Sequence, residues 1–474
     1  MKKNVFYVDS FHNPGISPYQ AHNLFNEKHT PSFIFEQNTS INKENRMGYV
    51  CISPEKILRT GKRENLGEID PFKLINDELL LRKNSTTISN PEGIKEIYFS
   101  GAFGYLSYEC FKYIEPSIKN IKTSKIYTPE AGFIFAKELL VFDNKKNLIY
   151  LIIKKEENCT KKHLKKRLSE IKKKILNSKQ IKIYSKKTNS YIHKSNISTK
   201  KFKKMISTAI NEINNGELIQ VVLSRRSEIK IHCNPDLIYF ELKKINFSPY
   251  TYFLNFGDFQ IIGASPELMS KTKNKKTEIH PIAGTYPRDL IPQKDKINEK
   301  NMLTSEKENA EHLMLVDLAR NDLGKVCTPG TVVVENFMSV ERYSHVMHLV
   351  SKVSGILKEN FSGIDALKSG FPIGTLTGAP KIRAIKMAAE LEPEGRGPYC
   401  GAVGWFENIN NIDTGTLIRS IIIKKDKAHV HGGSGIVSES SPSREYEETE
   451  HKIQACLEAI KIANKKSDTY RKNK

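Results

Sequence analysis

Two Glu-x-x-Glu pairs stand out in the sequence: Glu308 and Glu311, ahead of the run Met314–Gly324, and Glu445 and Glu448, inside Arg444–Lys452. Both stretches read as helix, and a spacing of three puts the two carboxylates of a pair on one helical face. Four carboxylates brought together repel one another unless a positive charge lies between them. Mg²⁺ suits that position, because it prefers carboxylate oxygens and leaves coordination positions for an anionic substrate. An isolated pair of this kind is an ordinary solvated helix face, so the surrounding residues must carry the argument.

The chain has 474 residues, of which 38% are hydrophobic, enough for a large core and more than one lobe. It contains no apolar run long enough for a transmembrane helix, so no membrane role is expected. The opening stretch has no sustained apolar segment and is broken by Asp9, His12 and Asn13, which argues against a signal peptide. Seven scattered cysteines form no C-x-x-C pair, so neither zinc nor a redox motif is suggested, and a reducing cytoplasm fits. The net charge of +22 invites a nucleic-acid reading. Lysine supplies 60 of the 75 basic residues, however, spread through Asn- and Ile-rich surface stretches. No helix-turn-helix, zinc finger or RNP-like run accompanies them, so no nucleic-acid partner is expected.

The elements that must position the carboxylates follow from periodicity. Gly48 to Ile57 and Ile97 to Tyr108 are aromatic-rich and glycine-punctuated, as strands are, and 133–153 reads as a hairpin turning at Asp143–Asn147. Leu164, Leu168, Ile171 and Ile175 recur at helical spacing among lysines. Ser198 or Thr199 caps a helix with apolar Phe202, Met205, Ile206 and Ile210. Strands at VVLSRR, YTYFLNF and QIIGAS follow, and a last helix ends near Ile462 before a polar, frayed tail. The expected division is an N-terminal lobe over 1–185, a linker over 186–199, a catalytic domain over 200–462 and a tail over 463–474. No G-x-G-x-x-G or P-loop opens a helix, so no nucleotide site is supported.

Read together, GELIQVVLSRR (Gly216–Arg226), GASPEL (Gly263–Leu268), PIAGTYPR (Pro281–Arg288), Glu308–Gly324, RYSHVMHLVS (Arg342–Ser351), FPIGTLTGAPK (Phe371–Lys381) and Gly432–Thr449 resemble the chorismate-utilising enzymes. Within them the likeness is to the anthranilate synthase component I branch. It covers nearly all of 200–462 and, more weakly, much of the N-terminal part. The resemblance implies an α+β fold of two orthogonally packed antiparallel β-sheets wrapped by helices. It also implies that Glu308, Glu311, Glu445 and Glu448 bind Mg²⁺, which holds the ring carboxylate of chorismate. Gly433 and Gly435 match glycines whose backbone approaches a substrate carboxylate, and Gly284 and Thr285 lie in a further substrate-binding motif. Arg419 and Tyr399 match positions that grip the enolpyruvyl carboxylate. Glu267 matches the general acid for the 4-hydroxyl, which partial burial should keep protonated. His348 matches a histidine tied to pyruvate elimination, and Thr375 a hydroxyl that contacts substrate; Lys381 and Arg383 need only be structural.

Two positions separate the relatives. Water-using members carry a lysine base where this chain has Gln220, and glutamine cannot act as a base at neutral pH. Ammonia, already nucleophilic, is implied instead. Aminodeoxychorismate synthases place a lysine where this chain has Ala283. The implied reaction is ammonia attack at C2 of chorismate, then pyruvate loss to anthranilate, the first step of tryptophan synthesis. Aminodeoxychorismate synthase is the enzymatic alternative, and a basic nucleic-acid-binding protein with a decayed site is the alternative of another class. No G-x-C-x-G-H-Q elbow occurs, so a separate glutamine amidotransferase subunit is implied, in a heterotetramer of two large and two small subunits. The family's tryptophan-inhibition site maps to Glu36, Gln37, Pro249, Tyr250 and Thr251. Gln37 stands where a small serine is usual, and Phe247 replaces a proline, so feedback inhibition is expected to be weak.

Overall fold

The computed structural model describes every residue except 1–3, 27–29, 39–45, 83–84, 89–96, 119–121, 158, 179–192, 290, 343–345 and 473–474. Two long strands, Arg46–Thr60 and Ala131–Asp143, organise the molecule. They pair along almost their whole length, with register shifts between Cys51 and Lys56. Bulges of this kind bend a strand and let it pass from one sheet into another. On one side of the bend the order runs from Val5–His12 through Leu148–Lys154, Ala131–Asp143, Arg46–Thr60, Ser32–Asn38, Tyr250–Asn255, Phe259–Ser265, Ser420–Lys424 and Lys427–Ile436 to Gln220–Lys230. On the other it runs through Ala102–Leu106, Ala402–Asn408, Asn411–Thr416, Leu268–Lys273 and Lys276–Ile279 to Val346–Ile356. Ile282–Pro287 and Val333–Arg342 flank that last strand. Among the described pairings only Val5–His12 with Thr86–Ile88 is parallel. The result is the α+β arrangement of two orthogonal antiparallel sheets.

Aromatic side chains fill the space between the sheets. Phe33, Phe35, Tyr49, Phe103, Tyr252 and Trp405 form one buried cluster. Helices Pro18–Phe25, Lys161–Leu176, Pro235–Ile245 and Pro442–Lys472 cover the outer face of the first sheet. Pro71–Leu81, Glu306–Gly324 and Gly363–Gly370 cover the second.

The local expectations translate directly into these elements. Leu164, Leu168, Ile171 and Ile175 are the buried face of Lys161–Leu176, whose cap Thr160 accepts from His163 N–H. Ser198, rather than Thr199, caps Thr199–Asn214. The hairpin turns at 144–147, where Asn147 takes a φ of 51° and Lys146 N–H donates to Asp143. Half of the expected linker, 186–192, lies outside the described residues; Lys194–Ser195 is a short strand paired with Ser227 and Glu228. Two strands from before residue 186 pair with strands from after 199, Ser32–Asn38 with Tyr250–Asn255 and Ala102–Leu106 with Ala402–Asn408. None of the seven cysteines is joined in a disulfide, and no described helix is long and apolar enough to cross a membrane.

One expectation is corrected. The last helix does not end near Ile462 but continues to Lys472. Ala463 and Asn464 are fully buried. Asn464 accepts from His232 N–H at 2.8 Å and donates to Lys230 O at 3.1 Å, and Lys466 pairs with buried Glu241 at 2.8 Å. The polar composition of this stretch is that of a docked helix, because its amide satisfies backbone groups of another segment. Asn464→Ala leaves a buried N–H and C=O without partners and is expected to cost about 1–3 kcal/mol. A lowered midpoint in urea unfolding, set against substitution of exposed Gln454 on the same helix (Gln454→Ala) as a control, checks this.

Candidate functional site

The acidic helix Glu306–Gly324 begins at Ser305, whose hydroxyl accepts from Glu308 N–H. Carboxylates in a first helical turn face the positive end of the helix dipole, which favours Glu308 there. The neighbouring strand Ile282–Pro287 has a register shift between Ala283 and Thr285, with Gly284 at a φ of 58°. A Cβ on Gly284 would lie 3.3 Å from Glu308 Oε2, so glycine lets the backbone come close to that carboxylate. Farther along, fully buried His312 places Nε2 2.6 Å from Ser351 Oγ, which also accepts from Met338 N–H at 2.9 Å. Burial pushes His312 down to about 4, so the imidazole is neutral and shares a hydrogen bond with the serine hydroxyl. Near its other end the helix is fastened by Asp322 and Lys381 at 2.8 Å.

The second pair lies at the start of the closing helix Pro442–Lys472. Glu445 is buried and accepts from Ser440 Oγ at 3.0 Å. Glu448 pairs with Lys452 Nζ at 2.6 Å, and that ammonium also donates to Gly433 O at 3.0 Å. Gln220 Nε2 donates to Glu311 Oε1 at 3.0 Å and would lie 2.7 Å from a Cβ on Gly435. Gly433 and Gly435 are two apart on the strand Lys427–Ile436, hence on one face. Glu311 and Glu448 therefore reach the same strand, through Gln220 and Lys452 respectively. Among the described residues no three His, Cys, Asp or Glu side chains close into a metal cage by themselves. The available donors are carboxylate oxygens in two separated pairs, a set that suits a hard cation completing its shell with other oxygens.

Around this strand stand the remaining residues. Glu267 is buried, and burial pushes its carboxyl up to about 7 against the opposing hydrogen bonds of Thr375 and Thr416. Thr375 Oγ1 donates to Glu267 Oε1 at 2.7 Å. His348 Nδ1 lies 2.9 Å from Gly284 O. That carbonyl can only accept, so the proton is on Nδ1 and Nε2 is the acceptor nitrogen. Burial lowers the pKa of His348, and nearby Arg419 and Lys452 lower it further, while the Gly284 bond opposes them. Thr285 lies opposite His348 in the strand pairing. Arg419, at a φ of 51°, donates from Nη1 to Lys452 O at 2.6 Å. Burial lowers its pKa, and among the described residues no carboxylate lies within ion-pair distance of it. Tyr399 is buried and stacked on His431 at 5.0 Å, and its hydroxyl lies 2.9 Å from where a Cβ on Gly433 would be. A recess behind Thr375 is lined by Leu315, Leu318, Ile373 and Asp322.

The residues expected at a tryptophan site divide between the two faces of the paired strands Ser32–Asn38 and Tyr250–Asn255. Buried Glu36 accepts from Tyr239 and from Lys243 Nζ at 2.5 Å, with Arg46 at 3.4 Å. Burial would raise its carboxyl, yet Lys243 and Arg46 hold it below the usual carboxylate range. Gln37 points to the other face and donates to Asp413 Oδ2 at 2.6 Å. Asp413 is fully buried and also accepts from Tyr250 at 2.6 Å, Tyr98 at 3.0 Å and Lys271 at 2.9 Å. Thr251 is fully buried beside Tyr250, and Pro249 O accepts from Asn38 N–H at 2.9 Å. Phe247 lies under the Arg46 guanidinium, 5.6 Å from its ring centroid. Sequence reasoning did not single out Lys452, His312 or Asp413. Lys452 stands four residues after Glu448, the favoured order for a helical ion pair, and was detectable on that ground. Asp413 carried no local signal.

A profile of the chorismate binding enzymes matches residues 30–458. The chain is 42% identical over 373 residues to anthranilate synthase component 1 of Acetivibrio thermocellus, covering 77% of this chain and 75% of the relative. It is 35% identical over 457 residues to anthranilate synthase component 1 of Aquifex aeolicus, covering 93% and 92%. The crystal structure of anthranilate synthase component I from Streptococcus pneumoniae superposes with a TM-score of 0.77 at 31% identity, covering 94% of this chain and 98% of that one. A menaquinone-specific isochorismate synthase from Escherichia coli shares the fold, with a TM-score of 0.72 at 15% identity. The chain belongs to the chorismate binding enzymes, and within them to the anthranilate synthase component 1 group.

Proposed function

We propose that this chain converts chorismate and ammonia into anthranilate and pyruvate, with Mg²⁺ as cofactor, in the cytoplasm. Ammonia comes from a separate glutamine amidotransferase subunit, two of each chain forming a heterotetramer. The observation that carries the reading is Gln220. Its amide donates to Glu311 and lies against Gly435, at the position where water-using relatives carry a lysine base. The site thus offers no side-chain base there to activate water, and an intrinsically nucleophilic amine is the fitting reactant.

Glu308, Glu311, Glu445 and Glu448 would hold Mg²⁺, which supplies positive charge to the ring carboxylate of chorismate. Arg419 and Tyr399 bind the enolpyruvyl carboxylate, consistent with a buried guanidinium that has no ion pair among the described residues. Gly284 and Thr285, with Gly433 and Gly435, bring backbone close to the substrate where a side chain would intrude. Glu267, oriented by Thr375, gives its proton to the departing 4-hydroxyl as ammonia bonds to C2. His348 then takes the C2 proton at Nε2 while the enolpyruvyl group leaves, and the ring becomes aromatic. The N-terminal lobe is regulatory in origin. Gln37 and its bond to Asp413 occupy space that a bound amino acid would need, so tryptophan inhibits weakly.

The test is turnover of chorismate with ammonium and Mg²⁺, with product identification. Anthranilate and pyruvate in equal amounts, and no isochorismate when nitrogen is withheld, are expected. Aminodeoxychorismate as the product would move the enzyme to the folate branch instead.

Glu267 acts as an acid, so its protonated form must be populated. That form prevails below about 7 and is lost above it. The rate per free ammonia should fall about tenfold per pH unit above that point, and Glu267→Gln should lower it by about 10²–10⁴-fold and flatten that limb. A rate that holds constant to pH 9 would count against the assignment.

Gln37→Ser removes one of the donors to Asp413 and opens the space beside Tyr250. Tryptophan inhibition, measured as the half-inhibitory concentration, is expected to strengthen by about 5- to 150-fold, the range set by a gain or loss of 1–3 kcal/mol in a small pocket. Micromolar inhibition of the unmodified chain would show that glutamine is accommodated.

A further inference from the structure

We propose that Arg225 is a positioning residue that sets the rotation of the closing helix and thereby the aim of Glu445 and Glu448. Arg225 lies on the strand Gln220–Lys230, directly opposite Gly432 of the glycine strand, and is 2% exposed. Its guanidinium uses three recognition modes on one helix. Nε donates to Thr449 Oγ1 at 2.7 Å, Nη2 pairs with Glu450 at 2.5 Å, and the plane lies over the Tyr446 ring, 4.7 Å from its centroid. Tyr446, Thr449 and Glu450 form an i, i+3, i+4 stripe, each member close in sequence to Glu445 or Glu448. The clamped stripe is therefore the acidic stripe displaced by one residue, roughly 100° around the helix. Any roll that re-aims the carboxylates must break the clamp.

The clamped residues are tied to one another. Tyr446 hydroxyl donates to Glu450 at 2.9 Å, and Thr449 hydroxyl donates to Tyr446 O at 2.7 Å. Gly432 completes the docking, because a Cβ there would stand 2.7 Å from Thr449 O. A charge buried this deeply is a poor device for stability alone, since a well-packed apolar residue does as well or better. Its planar, three-way grip is what a point charge such as lysine cannot reproduce. Arg225 touches neither substrate nor cation; it acts through the helix.

This inference rests on the divalent-cation reading of the four glutamates. It is tested on the cation-free full chain by titrating Mn²⁺ calorimetrically, with the Mg²⁺ activation constant measured beside it. Arg225→Lys and Thr449→Val are expected to weaken Mn²⁺ binding and raise the activation constant by about 10- to 100-fold, the usual scale for residues that orient metal ligands. The rate at saturating Mg²⁺ should change far less. Thr449→Ser keeps the acceptor hydroxyl and should bind as wild type does, whereas Thr449→Val keeps the shape and loses it. Folded Arg225→Lys and Thr449→Val proteins that bind Mn²⁺ as tightly as wild type would overturn the inference and leave the cation reading standing. A wild-type chain that binds no Mn²⁺ would remove both.

Discussion

Bringing like charges together is the constraint on which the proposed site depends. Glu308 and Glu311 arrive on one helix, Glu445 and Glu448 on another, and the strand bearing Gly433 and Gly435 lies within reach of both. The protein meets part of that repulsion with its own donors. The Gln220 amide takes Glu311, the Lys452 ammonium takes Glu448, and the Ser440 hydroxyl takes Glu445. Each of these donors comes from an element adjoining the glycine strand or from the closing helix itself. The two sheets matter to function because they hold those elements in fixed register.

Burial tunes the proposed acid and base in opposite directions, and both lie within the field of Lys452. Desolvation penalises charge on either group, so it raises Glu267 and lowers His348. A carboxylic acid that keeps its proton and an imidazole that stays neutral are the two forms the proposed chemistry uses. The fine structure then comes from single neighbours. Thr375 orients the acid, and the Gly284 carbonyl fixes which imidazole nitrogen can accept. The same bulge that places Gly284 beside Glu308 thus also sets the histidine tautomer, which couples the two halves of the site through one residue.

Elements with a strong local period were readable. The Leu164–Ile175 stripe, the hairpin at 144–147 and both acidic helices all follow from spacing and turn chemistry. The candidate site residues were chosen by the order of the motifs, because their neighbours in space come from stretches as far apart as Gln220 and Glu311. What could not be read were buried polar contacts across long separations. Asp413 collects donors from Gln37, Tyr98, Tyr250 and Lys271, none of which has a sequence relation to the others. The end of the last helix was misjudged for the same reason: Asn464 is polar by composition, and only its partners on His232 and Lys230 make it an anchor.

The pairing order also bears on how the chain is made. Among the described residues the strand Gln220–Lys230 has its long partner in Lys427–Ile436, with only two-residue pairings to Lys194–Ser195 and Gly378–Ala379 besides. During translation most of that strand's edge stays open until the glycine strand has left the ribosome, and an open edge is a template for pairing with another nascent chain. The closing helix, which carries half of the acidic quartet and covers this region, emerges later still. The cleft thus cannot assemble before the closing helix has emerged, and until then the open edge is the part of the chain most exposed to wrong pairing.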